Sequence, residues 1–317
     1  MLTGDRRGLV LAIGATLLLA VALVGRPPAA LHAGSSPAVL SQAQSTDWSS
    51  VEQAIGKSGA AQPGDVYRFS FPRTDLQVSV RGERIQPALA LGSWVAFKQM
   101  GDHALAMGDL VLTEDEVSPV MLALQQGGVE QTALHNHLLG ESPRIMYMHI
   151  HGNGDPVSLA STIHAALTLT GTPFEAPVGG APSGPVLDTA QLESALGRRG
   201  TAAGAVYQFS VPRRETVTEM GMDVPAAMGL ATAINFQPTG EGTAATTGDF
   251  VLLAEEVNPV LRTLRENGIE VTALHSHMLA EQPRLLFMHF WANDDAGKLA
   301  RGLRAALDRT NSAPPTQ

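Results

Sequence analysis

The sequence predicts an α+β protein made of two copies of one module, each with an antiparallel sheet, a histidine-bearing hairpin and flanking helices. Two observations support this expectation. Long stretches of the chain recur about 140 residues later, and strand-like runs in each copy follow one another through short turns. Connections of this kind build antiparallel sheets. Of the 317 residues, 44% are hydrophobic, which is enough for a sizeable core.

The repeat is clearest between residues 127–151 and 267–291, where 13 of 25 positions are identical without a gap. Most other positions in these segments exchange one apolar residue for another. Two shorter matches lie upstream: VYRFSFPR (Val66–Arg73) with VYQFSVPR (Val206–Arg213), and GDLVL (Gly108–Leu112) with GDFVL (Gly248–Leu252). Agreement of this extent indicates two copies of one fold.

The repeat and the local composition divide the chain into six segments. The expected segments are a signal peptide or N-terminal anchor at 1–34, a spacer at 35–46, the first module at 47–169, a Gly/Pro-rich linker at 170–187, the second module at 188–310 and a tail at 311–317.

Each module is expected to contain helices at three places. Asp47 or Asp188 precedes a short helix that Gly56 or Gly197 ends. A second helix is predicted to start at Ser118-Pro119 or Asn258-Pro259 and to stop at Gly128 or Gly268. The last begins near Asp155-Pro156 or Asp295. Strands occupy the apolar runs between them.

The N-terminus is typical of an exported protein. Arg6 and Arg7 precede Gly8–Val24, an uncharged and mostly apolar run of 17 residues, and small residues follow. An uncleaved membrane anchor is the alternative, since the run approaches the length needed to span a bilayer. We therefore expect a periplasmic or extracellular location, with any membrane contact made by this segment.

Charge and cysteine content exclude several classes of function. The formal net charge is −9, and no basic run is present, which argues against nucleic acid as a partner. The absence of cysteine excludes disulfides, thiolate metal sites, a catalytic thiol and an acylated N-terminal cysteine.

The segment with the strongest functional signal is ALHNHLLGESPRIMYMHIHG (Ala133–Gly152), two apolar runs joined by a short polar loop. Residues two apart on a strand share a face, so His135 and His137 lie together, as do His149 and His151. If His137 opposes His149 across the hairpin, then His135 opposes His151 and four imidazoles converge.

The second copy keeps three of these histidines but has Trp291 where the first has His151. The predicted metal ligands are His135, His137, His149, His151, His275, His277 and His289. Three imidazoles around one divalent ion leave an open coordination position. Zn²⁺ is the leading expectation, with Cu, Ni, Fe and Mn as alternatives.

Glu141 and Glu281 lie in the hairpin loops, and Arg144 and Arg284 follow the shared proline. The glutamates are candidate fourth metal ligands or general bases acting through metal-bound water, and the arginines are candidate clamps for a small anionic ligand. Structural ion pairs between these groups are the alternative.

At these residues the chain resembles the LppY/LpqO family of bacterial secreted proteins, a domain family of unknown function. The resemblance is strongest in HSHMLAEQPRLLFMHFWANDDA (His275–Ala296) and its counterpart in the first copy, and it covers both modules. It implies export, but the family supplies no activity, and the lack of cysteine departs from the lipoproteins that give the family its name.

These observations predict an exported protein that binds a divalent metal through its HxH...H hairpins, as a metal-dependent enzyme or small-molecule-binding protein. The alternatives are an extracytoplasmic metal carrier without catalysis, and a structural or interaction module whose histidines only pack. The sequence leaves the substrate and the oligomeric state open.

Overall fold

The computed structural model describes residues 47–175 and 185–314. The predicted signal or anchor segment, the spacer and parts of the predicted linker and tail lie outside these ranges. Within the described ranges, no helix combines the length and the hydrophobicity needed to cross a bilayer.

The two modules repeat one order of elements. The first consists of α1 (Ser49–Ile55), β1 (Ala60–Gln62), β2 (Val66–Pro72), β3 (Ser79–Val80), β4 (Glu83–Arg84), α2 (Pro87–Ala90), β5 (Gly92–Met100), β6 (His103–Thr113), α3 (Glu114–Gln126), β7 (Glu130–His135), β8 (Glu141–Ser142), β9 (Ile145–Gly154) and α4 (Pro156–Leu167). The second consists of α5 (Thr189–Leu196), β10 (Thr201–Ala203), β11 (Val206–Pro212), β12 (Thr218–Glu219), β13 (Met222–Asp223), a 3₁₀ turn (Ala226–Met228), β14 (Ala231–Gly240), β15 (Thr243–Leu252), α6 (Ala254–Glu266), β16 (Glu270–His275), β17 (Leu286–Asp295) and α7 (Ala296–Leu307).

Each module has one six-stranded antiparallel sheet. The strand orders are β1-β2-β5-β6-β9-β7 and β10-β11-β14-β15-β17-β16, which are the same topology. The predicted α+β fold with a duplicated module is therefore confirmed. In both sheets the strand that carries the first histidine, β7 or β16, lies at an edge.

Both faces of each sheet are covered. In β6, Leu110 and Leu112 pack with the helices of their own module, whereas Met107 and Val111 point to the opposite face and contact residues of both modules. A strand buried on both faces is apolar almost throughout, which explains the run of buried residues in β6. Polar groups on its inner face are therefore exceptional.

Two segments that lie outside the six-stranded sheets hold the modules together. We call residues 74–91 the first arm and residues 214–230 the second arm. Val217, Val224 and Met228 of the second arm pack on the inner face of the first sheet, against residues that include Val66 and Leu105. The first arm packs in the same way near Val206, Ala245 and Trp291 of the second module. Each module thus covers the other reciprocally.

Side-chain amides of the second sheet fix the first arm by hydrogen bonds to its backbone. Gln237 donates to the carbonyl of Arg84 at 2.7 Å and accepts from the amide of Gln86 at 2.8 Å. Asn235 donates to the carbonyl of Leu89 at 3.1 Å. These bonds satisfy backbone groups that burial between the modules would otherwise leave unpaired.

The second helix of each module begins earlier than predicted. Helix α3 starts at Glu114, not at Ser118, because Thr113 and Glu116 form a capping box in which the Glu116 carboxylate accepts from the Thr113 amide at 2.9 Å. Pro119 then lies inside the helix. The last helix starts as predicted, since Asp155 and Asp295 cap α4 and α7. For the first helix, Asp188 caps α5 as predicted, whereas the N-cap of α1 is Trp48 and not Asp47.

We expect Gly108→Ala to destabilise the protein. An added Cβ would lie 2.6 Å from the backbone oxygen of Trp94 on the neighbouring strand and 3.1 Å from the Ile150 side chain. Overpacking of this kind costs about 1–3 kcal/mol of unfolding free energy, measurable by urea denaturation. Gly154→Ala is the matched control, because no atom lies within 4 Å of the Cβ it would add. Equal losses in the two variants would contradict the packing argument.

Candidate metal centre between the modules

The hairpin pairing differs from the register considered above. His135 opposes Tyr147 and Ala133 opposes His149, so β9 is shifted by four residues from the pairing of His137 with His149. A shift by an even number keeps the side chains on the same faces. His137 consequently lies just beyond the end of β7, where the chain leaves the sheet.

Six of the seven predicted ligands meet at one place between the modules. By sequence each hairpin is a candidate site of its own, whereas the structure brings both hairpins to a single centre. Its histidines are His135, His137 and His149 of the first module and His275, His277 and His289 of the second. The closest pairs of histidine rings join the two modules. Their centroids are separated by 3.6 Å for His135 and His275, 3.8 Å for His137 and His289, and 3.7 Å for His149 and His277.

Two reciprocal hydrogen bonds hold the HxH segments against each other. The Thr132 hydroxyl donates to the carbonyl of His277 at 2.5 Å, and the Thr272 hydroxyl donates to the carbonyl of His137 at 2.5 Å. Each threonine lies in the edge strand of its own module. The backbone of each HxH segment is therefore positioned by the other module.

Aromatic stacking fixes the outer histidine rings. His137 stacks on Tyr147 and His277 stacks on Phe287, each with 3.4 Å between ring centroids and nearly parallel planes. The Tyr147 hydroxyl donates to the carbonyl of Ala90 at 3.2 Å, which holds the ring in the first module. The two sides of the centre are thus equivalent in shape but differ by one hydroxyl.

Two aspartates that are absent from the predicted ligands complete the centre, one buried (Asp109) and one partly buried (Asp249). Asp109 Oδ2 lies 3.5 Å from His137 Nε2 and 3.9 Å from His149 Nε2. Asp249 Oδ2 lies 3.3 Å from His277 Nε2. A turn is the ordinary interpretation of Gly-Asp, but both pairs lie within long strands. An aspartate that both copies keep, inside a nearly all-apolar strand in the first copy, was the signal that could have identified them.

Burial keeps the histidines neutral. Burial is the largest cause that lowers the pKa of every imidazole in the cluster. The pKa falls to about 4 for His135 and to about 3 for His289. The neighbouring imidazoles lower the pKa of His137 and His277 further, because two positive charges would repel. A neutral imidazole retains the lone pair that a metal ion needs.

Burial acts in the opposite direction on the carboxylates. It raises the pKa of Asp109 to about 7, and it raises the pKa of Asp249 well above its ordinary value together with the nearby charge of Asp109. A cation between these groups would restore both carboxylates to their ionised form.

A backbone contact defines the tautomer of His289. His289 Nδ1 lies 3.0 Å from the carbonyl oxygen of Gly248. Because a carbonyl only accepts, this contact places the proton on Nδ1 and leaves the lone pair of Nε2 free. A backbone carbonyl that orients a histidine through its second nitrogen is the usual support of a metal ligand.

The cluster contains an unusual concentration of unpaired polar atoms. Among the described residues, the six histidines contribute eight buried ring nitrogens without a hydrogen-bond partner, and Asp109 and Asp249 each contribute a carboxylate oxygen. Buried polar groups in folded proteins are almost always paired. Ligand atoms within 4.8 Å of one another occur in four groups: His135, His149 and His275; His135, His137 and His289; His275, His277 and His289; and Asp109, His137 and His149. The donor set fits a metal ion.

The seventh predicted ligand, His151, lies apart from this group. Its Nε2 is 3.1 Å from a carboxylate oxygen of Glu219 in the second arm, and its Nδ1 is 3.9 Å from Glu130. In the second module Trp291 occupies the corresponding position and packs among apolar residues of the first arm. His151 therefore contacts the other module through a carboxylate.

The four candidate catalytic side chains lie in the hairpin loops. One oxygen of Glu141 accepts from the Ile145 amide at 3.0 Å, and burial raises the pKa of this carboxyl to about 7. Glu281 accepts from the Leu285 amide at 2.9 Å and pairs with Arg284 at 3.2 Å. The Arg144 side chain is 61% exposed and 3.8 Å from Glu114. None of the four belongs to the groups of close ligand atoms found among the described residues.

The metal-free protein is expected to lose stability as the pH falls. The unfolded chain binds a proton on His289 near the ordinary value of 6.5, whereas the folded protein binds it only near about 3. Unfolding therefore takes up a proton between these values, and the free energy of unfolding falls by about 1 kcal/mol per pH unit for each such histidine. Asp109, Asp249 and Glu141 act in the opposite sense, since their pKa values are raised on folding, but the six histidines outnumber these three carboxyls.

Urea denaturation of chelator-treated protein between about pH 6 and pH 5 measures this dependence. In His289→Gln the slope of the unfolding free energy against pH should be smaller by about 1 kcal/mol per pH unit. Identical slopes for the variant and the unmodified protein would refute the assignment of a buried neutral imidazole.

Comparison with known proteins gives one family and no activity. Two solved structures are similar to the chain. A trimeric bacterial microcompartment shell protein, PduB, is 14% identical over 79% of this chain and 89% of that chain, with a TM-score of 0.22. EtuB from Clostridium kluyveri is 10% identical over 79% of this chain and 88% of that chain, with a TM-score of 0.19. No curated protein matches. A family model described as Domain of Unknown Function (DUF1259) matches residues 49–169 and again residues 190–309, together more than half of the chain. The chain belongs to this family and carries two copies of its domain.

Proposed function

We propose that this protein binds divalent first-row transition metal ions at the composite centre between its modules. The single observation that carries the proposal is the set of eight unpaired, buried imidazole nitrogens. Without an ion, each would remain desolvated and uncompensated, at a cost of about 1–3 kcal/mol per group. Nitrogen and carboxylate donors favour Zn²⁺, with Cu, Ni, Fe and Mn as alternatives.

The depth of the centre favours a resident ion over transported cargo. His149, His277 and His289 are only 3–6% exposed, whereas His135, His137 and His275 are partly exposed. A carrier that exchanges its metal with partners needs ligands that the partners can reach. Tight enclosure between two packed modules instead slows release.

Metal loading tests the proposal directly. Chelator-stripped protein that is incubated with Zn²⁺ and desalted should retain bound metal by mass spectrometry of the elements. Loss of a group that only orients a metal ligand already weakens metal binding about 10–100-fold, so His137→Ala should weaken it at least as much. The matched control is His103→Ala, since His103 is exposed at the start of β6. Absence of retained metal, with His137→Ala indistinguishable from the control, would show that the histidines only pack.

Catalysis is a second candidate because of Glu141. Its Oε2 is buried without a hydrogen-bond partner, whereas the corresponding glutamate, Glu281, is paired with Arg284. The charge of Glu141 contributes to raising the pKa of Tyr147, and Tyr147 stacks on His137. A carboxyl with a pKa of about 7 can exchange protons at neutral pH.

The catalytic proposal predicts different effects for the two loop glutamates. Zinc-loaded protein would be assayed against small ester and amide substrates. Any turnover that requires the metal should be lost in Glu141→Gln and retained in Glu281→Gln. Turnover that survives Glu141→Gln would remove Glu141 from the reaction.

Export is also part of the proposal. Residues 1–34 support it by their basic start, apolar run and small-residue end. The similarity of the histidine segments to the LppY/LpqO family of secreted proteins supports it as well. Cell fractionation followed by N-terminal sequencing distinguishes a cleaved signal from a retained anchor.

A further inference from the structure

The composite centre contains more donor groups than one ion can use. Six imidazoles and two carboxylates surround it, whereas a zinc ion takes about four ligands and an octahedral ion about six. A single ion would leave at least two buried polar groups unpaired. The excess of donors points to more than one ion.

The donors divide into two similar sets across the module interface. His135, His137 and His289, the first triad, have ring centroids separated by 5.0, 3.8 and 5.4 Å. His275, His277 and His149, the second triad, have the corresponding separations of 4.9, 3.7 and 5.9 Å. Each triad takes the HxH pair from one module and its third histidine from the other.

One carboxylate belongs to each triad. Asp109 lies closest to His137 of the first triad, at 3.5 Å, and 3.9 Å from His149 of the second, whereas Asp249 lies 3.3 Å from His277 of the second. Each set then has three nitrogen ligands and one oxygen ligand, the number that tetrahedral Zn²⁺ requires. This division uses all eight donor groups.

We infer that the protein holds two metal ions, one in each triad, and that both ions connect the two modules. The inference rests on the proposed function. Its consequence is that neither module contains a complete ion site, because His149 serves the HxH pair of the second module and His289 serves that of the first.

Another division of the histidines is geometrically open, and it makes the inference testable. Ligand atoms lie within 4.8 Å of one another in the first triad, and likewise in two groups that each belong to one module: His275 with His277 and His289, and Asp109 with His137 and His149. The second triad rests on its ring separations. If each hairpin held its own ion, the third ligand of His137 would be His149. Two double variants separate these arrangements.

The first measurement is the metal content of the unmodified protein after Zn²⁺ loading and desalting. Two ions per chain are expected. One ion per chain would overturn the inference and leave the proposed function intact, whereas no ion would overturn both. Loading with Cu²⁺ gives an independent readout, since two neighbouring Cu²⁺ ions show magnetic coupling in electron paramagnetic resonance and a single ion does not.

The second measurement compares the double variants. His137→Ala with His289→Ala removes two ligands from the first triad only, so one ion should remain. His137→Ala with His149→Ala removes one ligand from each triad, so both ions should be weakened and little metal retained. Ions held within single hairpins would give the reverse result and overturn the inference. Circular dichroism tests whether both variants are folded. If one of them is unfolded, the metal stoichiometry and the magnetic coupling of the unmodified protein decide the number of ions.

Discussion

The contact between neutral imidazoles across the module interface is the constraint on which the rest of the structure depends. Rings of opposite modules lie within 4 Å of each other at three positions, which is tolerable only while they are uncharged. Burial enforces neutrality, and burial requires that both sheets be covered on their inner faces. The arms, the apolar runs in β6 and β15 and the reciprocal threonine bonds all contribute to this enclosure.

Two buried arginines outside the centre, Arg73 and Arg213, have the protein partners that the histidines within it lack. Arg73 is almost fully buried, yet it bonds to Asp75, to Glu116 and to the carbonyl of Val111, and Arg213 repeats this arrangement in the second module. The same chain therefore satisfies a buried guanidinium twice while leaving the histidine nitrogens without protein partners. This contrast supports the proposal that a non-protein group binds at the centre.

Much of the fold followed from the sequence, because each signal was local. Alternation of apolar residues located the strands, Asp155 and Asp295 marked helix starts, and the duplication gave the second module from the first. The predicted start of α3 was wrong. Ser118-Pro119 is typical of a helix start, but the capping box that begins this helix is formed by Thr113 and Glu116. The histidines were selected from their spacing alone. Their meeting at one centre was not predictable, since it depends on how two modules pack, and no local pattern encodes that.

Asp109 and His151 illustrate two kinds of difficulty. Asp109 has a counterpart in the second copy, Asp249. Its place in the centre depends on the burial of both faces of its strand, which the sequence around it does not reveal. His151 had the spacing of a ligand, and only the placement of Glu219 from the other module explains its separate position. Sequence spacing is least informative for residues whose surroundings come from a distant part of the chain.

The near-symmetry of the two modules has a consequence for how such a centre can change. In a pair of identical subunits, every substitution occurs twice, so both sides of an interface must accept it. Here one peptide chain carries both halves, and a substitution affects only one. His151 facing Glu219 while Trp291 faces apolar residues, and Tyr147 beside Phe287, are differences that two identical subunits could not have. Covalent linkage has made the two halves of the centre independently variable.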